Sequence, residues 1–331
     1  MPLKTFVLLG GGGVFGVHTA KYLLEYGNPR KVICVGRNVP RSSAYTLDVG
    51  AGDPRFQYEQ IHLLFEQDRL FEMLDLERPQ VMINFAALAH SSSWRKSWRY
   101  FETNVTCLAQ ICEQLMTRDY LERFLQIGTS ELYGHTESPA TEDYPLVPAS
   151  PYAISKLTAD LHLLSLWKVL KFPMNIIRPS NAYGPAQQLH RVLPRAVLCG
   201  LTGQKLPLEG GGRTRRSFIH ARDLARAIYL ICDRAPLGSI YNAGPQNPIS
   251  VHDLVGIVAA QLGLSMDQLT ETTEGRFGED PQYWLDSTRI KNELGWEPQI
   301  SLEEGIKDMI AWGRKYLEVI RNDSTAFTLH A

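Results

Sequence analysis

The sequence predicts an α/β fold, a doubly wound parallel sheet with a smaller, interleaved C-terminal lobe. Two observations in the first half predict it. Short β-type runs alternate with helical patterns, and those runs are apolar throughout instead of alternating with polar residues. A strand that is apolar on both faces is covered on both faces, as in a parallel sheet between two helix layers. A glycine-rich segment, GGGGVFG at 10–16, follows the first run and opens the first helix, as in a Rossmann unit.

The strands are expected at 5–10 (TFVLLG), 31–36 (KVICVG), 80–87, 124–130 (FLQIGTS) and 174–180 (MNIIRPS). Helices are expected at 14–26, ending at Gly27, at 66–77, ending before Pro79, at 98–116 and at 150–169. After residue 180 the composition shifts toward Pro and Gly, and a substrate lobe is expected to begin there. One further run, GSIYNAG at 238–244, is suited to rejoin the main sheet. Residues 1–180, with about 217–243, then form the dinucleotide-binding domain, and 181–216 with 244–331 form the lobe.

Bulk properties narrow the partner. The 331 residues suffice for one large α/β unit with a second lobe. Hydrophobic residues make up 44%, charged residues 21%, and the net charge of -1 offers no basic surface to nucleic acid or anionic lipid. Five scattered cysteines, without a CxxC pair or nearby His clusters, read as reduced thiols packed as small hydrophobes. The first apolar run is broken by glycines and too short for a membrane span or signal-peptide core, so a soluble cytoplasmic protein is expected. No metal site is expected, since His90 has no second ligand at a suitable spacing.

Gly10, Gly13 and Gly16 have GxxGxxG spacing. In such a loop the glycines permit a tight turn, close approach to a pyrophosphate and close helix–strand packing, and the helix N-terminus attracts the anion. A merely tight strand–helix turn is the alternative. At the end of the second strand, where an NAD-binding chain usually carries Asp or Glu, this one has Gly36 and Arg37, with Arg41, Ser42 and Ser43 close behind. The missing carboxylate and the guanidinium point to NADP(H); a solvated loop arginine with NAD is the other reading.

Tyr152 and Lys156 lie four residues apart near a helix start, on one face. An ammonium beside a phenol favours phenolate and suits the Tyr to general base work. Thr129, Ser130 and Glu131 end the fourth of the apolar runs, where a carboxylate must be solvated, paired or used.

Taken together, GGGGVFG, NFAALAH, IGTSELYG, SPYAISK, RPSNAYGP and GGRTRRSFIHARDLARAI resemble, in order and spacing, the extended short-chain dehydrogenase/reductases that act on nucleotide sugars. The resemblance covers about residues 5–313. The Thr-Ser-Glu triplet and the arginine and serines after the second strand are most similar to GDP-mannose 4,6-dehydratases. UDP-glucuronate decarboxylases share the triplet but carry an arginine where this chain has Tyr283 and Trp284. The adenine-binding Asp of the family is replaced around IHLLFE, with Leu63 at its place.

The resemblance implies a nucleotide-sugar 4,6-dehydratase using NADP, or NAD, as a homodimer. Thr129, Ser130, Glu131, Tyr152 and Lys156 would be catalytic. Gly10, Gly13, Val14, Phe15, Gly16, Arg37, Asn38, Leu64, Ala86, Ala87, Asn104 and Ser180 would hold the cofactor, with Tyr152 and Lys156. His90, Ser91, Asn181, Arg191, Val192, Arg216 and Arg276 would face the nucleotide-diphosphate sugar, whereas Arg213 and Arg215 read as a solvated charge run. An epimerase or NADP-dependent 4-reductase on the same scaffold is the alternative, and a non-catalytic NADP sensor a more distant one.

Overall fold

A computed structural model describes residues 4–89, 94, 96–274 and 281–325. The strands, in chain order, are β1 (Thr5–Leu9), β2 (Lys31–Gly36), β3 (Phe56–Gln60), β4 (Val81–Asn84), β5 (Arg123–Ile127), β6 (Met174–Pro179), β7 (Asn181–Tyr183), β8 (Leu206–Glu209), β9 (Arg215–Arg216), β10 (Phe218–His220), β11 (Ile240–Ala243), β12 (Ile249–Ser250), β13 (Thr270–Thr273) and β14 (Gln282–Tyr283). Seven of them form one sheet in the order β11-β6-β5-β4-β1-β2-β3. Every pairing in it is parallel.

The continuous apolar runs have the expected cause. In β1, Phe6 and Leu8 enter one core while Val7 and Leu9 enter the other; in β2, Val32 and Cys34 part from Ile33 and Val35 in the same way. The first core is closed by the helices Val14–Tyr26 and Ala221–Arg234, through Ala20, Leu23, Leu224, Ile228 and Ile231. The second is closed by Gln67–Glu77, Cys107–Leu115 and Pro151–Leu170, through Leu70, Leu74, Leu108, Ile111, Ala159 and Leu163. A third core lies on the far side of the strand ends, where Val197, Leu254, Val258, Ile306 and Met309 pack three further helices together. All five cysteines are free and buried. Among the described residues no helix is long and apolar enough to cross a membrane.

Two departures from the expected elements bear on the site. β3 is an edge strand whose residues FQYEQ are half-buried or exposed, so it lacks the apolar run that marks the others. The expected helix 98–116 contains a π-helical turn at Glu102–Thr106 between Trp98–Phe101 and Cys107–Leu115. Such turns widen the helix locally and often occur at functional sites.

Candidate active site

The carboxyl ends of β1, β2, β4, β5 and β6 open into a cavity of about 890 Å3. That is where an open parallel sheet has room for a ligand, because helices cover both of its faces. Gly10 leaves β1 with φ +74°, and a methyl added there would lie 2.7 Å from the Ala86 nitrogen. A methyl on Gly16 would fall within 2.5–2.7 Å of the Gly11 backbone, so the first helix sits directly on the turn. Gly10, Gly13, Val14, Phe15 and Gly16 all line the cavity, and the first turn of this helix carries no acidic residue. Its unpaired N–H groups and positive end suit a phosphate.

Arg37, exposed, lines the cavity, as do the half-buried Leu64, Ala86 and Ala87 and the buried Ser180. Asn38 and Asn104 do not line it. Asn104 instead works behind the wall: its Oδ1 accepts from the Leu88 amide at 2.8 Å, and its Nδ2 donates to Leu88 O (3.1 Å) and Ser155 Oγ (2.9 Å). The π-helical turn thus ties the Ala86–Leu88 segment to the helix that carries Tyr152. Leu63 lines the cavity too, with His62 just before it; the His62 ring stacks on Phe65 at 4.5 Å, and both face the same space. Sequence reading passed over His62 and Phe65 because neither belongs to a spaced motif.

Ser150 caps the Tyr152 helix, accepting from Ala153 N at 3.1 Å, and Pro151 follows at its first position. Lys156, 2% exposed, donates from Nζ to Ile127 O at 2.6 Å. Burial lowers its pKa to about 8, against the opposing charge of Asp160. Tyr152 stands at the cavity wall with its hydroxyl pKa raised, first by burial and then by the Glu131 charge; a hydrogen bond with Thr129 and the Arg191 charge oppose that rise. Thr129 Oγ1 also accepts from Glu131 N at 3.2 Å, which shapes the short turn Ser130–Tyr133. Thr129, Ser130, Glu131, Tyr152 and Lys156 therefore meet in one cavity with the glycine loop.

Behind them lies a buried ion pair. Arg178 Nε donates to Asp160 Oδ2 at 3.0 Å, with side chains 2% and 0% exposed. Arg178 Nη1 reaches the Tyr133 hydroxyl (3.0 Å), which itself donates to Asn242 Oδ1 (2.8 Å).

At the other end, Asn181, Arg191, Val192 and Arg216 line the same cavity. β14 runs beside β9, so Tyr283 lies next to Arg216: the guanidinium carbon sits 4.1 Å from the ring centroid, and the Tyr283 hydroxyl donates to Asn181 Oδ1 at 3.2 Å. Arg213 and Arg215 are exposed and do not line the cavity. His90, Ser91 and Arg276 lie outside the described residues.

Residues 7–309 match the family model described as GDP-mannose 4,6 dehydratase. The chain is 30% identical over 314 residues to a dTDP-glucose 4,6-dehydratase of Streptomyces griseus, covering 94% of each. It is 25% identical to a trifunctional UDP-glucose 4,6-dehydratase/3,5-epimerase/reductase of Arabidopsis thaliana, and it spans about half the length (47%) of that relative. Among solved structures, the dTDP-glucose 4,6-dehydratase of Bacillus anthracis in complex with NAD superposes with a TM-score of 0.86 at 27% identity, over 96% of this chain and 98% of that one. A UDP-glucose 4-epimerase of Thermotoga maritima with UDP-glucose gives 0.85 at 25% identity, over 95% and 99%.

Proposed function

The chain belongs to the extended short-chain dehydrogenase/reductase family of nucleotide-sugar dehydratases and epimerases, and from that premise we propose that it is a nucleotide-sugar 4,6-dehydratase. The observation that carries the reading is the position of Glu131: it lines the same cavity as Tyr152 and Lys156, beside Thr129, whose Oγ1 accepts from the Glu131 amide. A base there has work to do beyond a simple redox exchange at one carbon.

A nicotinamide dinucleotide fits the cavity on the geometry of its own residues. Gly10 and Gly16 let the turn, the Ala86 segment and the first helix close up where a Cβ would clash with backbone, that helix turns its first N–H groups to the cavity, and the buried Ser180 hydroxyl has no partner among the described residues. When bound, the dinucleotide supplies the hydride acceptor for sugar C4 and the hydride donor for C6. Tyr152 takes the proton of the sugar 4-hydroxyl and Thr129 hydrogen-bonds the same oxygen; burial and the Glu131 charge raise the Tyr152 pKa, so forming the phenolate depends on the buried Lys156 ammonium that lines the same cavity. The 4-ketone acidifies the C5 proton, which Glu131 removes. Water then leaves from C6 with the proton that Glu131 took, passed directly or through Ser130; C5 is reprotonated from solvent as C6 accepts the hydride, and the proton that Tyr152 took passes to solvent, because the 4-oxygen stays a ketone in the product. Asn181, Arg191 and Arg216 hold the diphosphate, since a dianion in a cleft needs several convergent donors.

Gly36 and Arg37 support NADP(H) over NAD(H) as the dinucleotide. The exposed Ile154, Leu161, Val169 and Leu170 along the Tyr152 helix support a homodimer, which sedimentation would test.

The decisive experiment incubates the enzyme with nucleotide sugars and follows the products by mass spectrometry. Wild type should lose one water from the substrate, take up deuterium at C5 from solvent, and show no net change at the nicotinamide band. Glu131→Gln should form the 4-keto-6-deoxy product about 10²–10⁴-fold more slowly. Inversion of a carbinol without loss of water would replace this reading by the epimerase one.

A further inference from the structure

We propose that Tyr58 sets the dinucleotide selectivity of this site, by occupying the carboxylate position at the end of β2 and fixing, with Gln60, the turn that carries Arg37. The proposal rests on the NADP reading above.

Tyr58 lies on the edge strand β3, paired in register with Cys34, and its side chain runs under the end of β2. Its hydroxyl donates to Asn38 O at 2.6 Å. A methyl built on Gly36 would overlap that hydroxyl, and one on Gly12 would lie 2.9 Å from it and 3.1 Å from the ring. The side chain is thus bracketed by two glycines and a carbonyl, so a side chain at position 36 has to displace it and break its bond to Asn38. Gln60, two residues on, donates from Nε2 to Arg37 O at 3.2 Å. Consecutive carbonyls after Gly36 are therefore both held from β3.

Two consequences follow for a ligand. An Asp or Glu at position 36 needs a Cβ where the Tyr58 hydroxyl already is, so the usual partner of an unmodified ribose 2′-hydroxyl competes with Tyr58 for that place. Held by its carbonyl from Gln60, Arg37 lines the cavity while Asn38 does not. A guanidinium without a neighbouring carboxylate suits a ribose 2′-phosphate. This accounts for a half-buried Tyr58 and an exposed Gln60 bonded to the turn, on a strand that contributes little to the core.

The test measures dissociation constants of NADPH and NADH by fluorescence for wild type, Tyr58→Phe, Gly36→Asp and Gly36→Asp/Tyr58→Ala, each checked for an intact thermal transition. Tyr58→Phe keeps the ring and should weaken NADPH about 2–10-fold, the worth of one hydrogen bond, while changing NADH less. Gly36→Asp should weaken both ligands at least about tenfold, and the added Tyr58→Ala should restore NADH but not NADPH. The proposal is overturned if Tyr58→Phe leaves the NADPH-to-NADH ratio unchanged, or if Gly36→Asp alone binds NADH as tightly as the double variant. The NADP reading fails by a different result: no preference for NADPH in wild type and none lost in Arg37→Ala. The clash between positions 36 and 58 is still read from NADH alone in that case.

Discussion

The Lys156 ammonium donates to the Ile127 carbonyl at 2.6 Å and so ties the helix of Tyr152 to the strand that ends in Thr129, Ser130 and Glu131. The bond holds a buried cation whose folded pKa is lowered to about 8 from 10.5. Below pH 8 both folded and unfolded chains carry the proton, and folding bears the full cost of burying it. Between 8 and 10.5 the unfolded chain binds more protons than the folded one, so stability rises with pH across that window. At about 1.4 kcal/mol per pH unit the whole effect is roughly 3 kcal/mol. Cofactor-free wild type, compared with Lys156→Met by denaturant unfolding at pH 7, 8, 9 and 9.5, should show a difference that is flat to pH 8 and then shifts in favour of wild type. A difference that stays flat to 9.5 would mean that the ammonium is not desolvated.

Removing one partner of the Arg178–Asp160 pair leaves the other charge buried. Asp160→Ala should therefore cost about 3–5 kcal/mol, far more than an exposed ion pair is worth. The control is Arg69→Ala, whose partner Glu66 lies in an exposed pair and whose loss should cost under about 1 kcal/mol. Equal unfolding midpoints for the two variants would contradict this.

Arg216→Ala should raise KM for a nucleotide sugar about 10–150-fold, the range of a lost charge-assisted hydrogen bond, with NADPH affinity unchanged. Tyr283→Phe keeps the ring under the guanidinium and loses the hydroxyl's bonds to Asn181 and Arg216, so its effect on KM should be a few-fold. Steady-state kinetics at saturating cofactor separates the two, and an Arg216→Ala enzyme with wild-type KM would remove Arg216 from the diphosphate site.

Gly10→Ala puts a Cβ against the Ala86 backbone and asks an L-residue to hold φ +74°. The left-handed conformation alone costs about 1–2 kcal/mol, and the contact adds to it. A lower melting temperature is expected, together with at least about tenfold weaker NADPH binding, because the wall that yields is the one beneath the phosphates. Unchanged binding by fluorescence titration would show that this turn does not carry the pyrophosphate.

Much of this architecture is written locally. The runs at 31–36 and 174–180 announce their strands because both faces of each are covered, so hydrophobicity alone marks them. The glycine loop and the Tyr152–Lys156 pair are legible for a similar reason, since their spacing along the chain is their geometry. β3 is not, because an edge strand with polar residues has no such mark, and with it Tyr58 passes unnoticed. Asn104 is read as a cofactor ligand from the family resemblance alone. Its actual partners, Leu88 and Ser155, are 16 and 51 residues away, and only the π-helical turn brings them together. His62 and Phe65 become neighbours of the cavity through a stack that no periodicity encodes.

The parallel pairing of β11 with β6 also governs how the chain must be made. Synthesis delivers six strands of the sheet by residue 179, but the strand that covers β6 arrives only after residues 180–239 have emerged. Until then the nascent protein presents an open sheet edge carrying Ile176 and Ile177, both fully buried once folded. The Ala221–Arg234 helix, which seals one face of the same sheet, comes equally late. Exposed edges and apolar faces recruit other chains, so a ribosome that stalls or a transcript that stops near residue 180 yields a fragment bound for aggregation or for a chaperone.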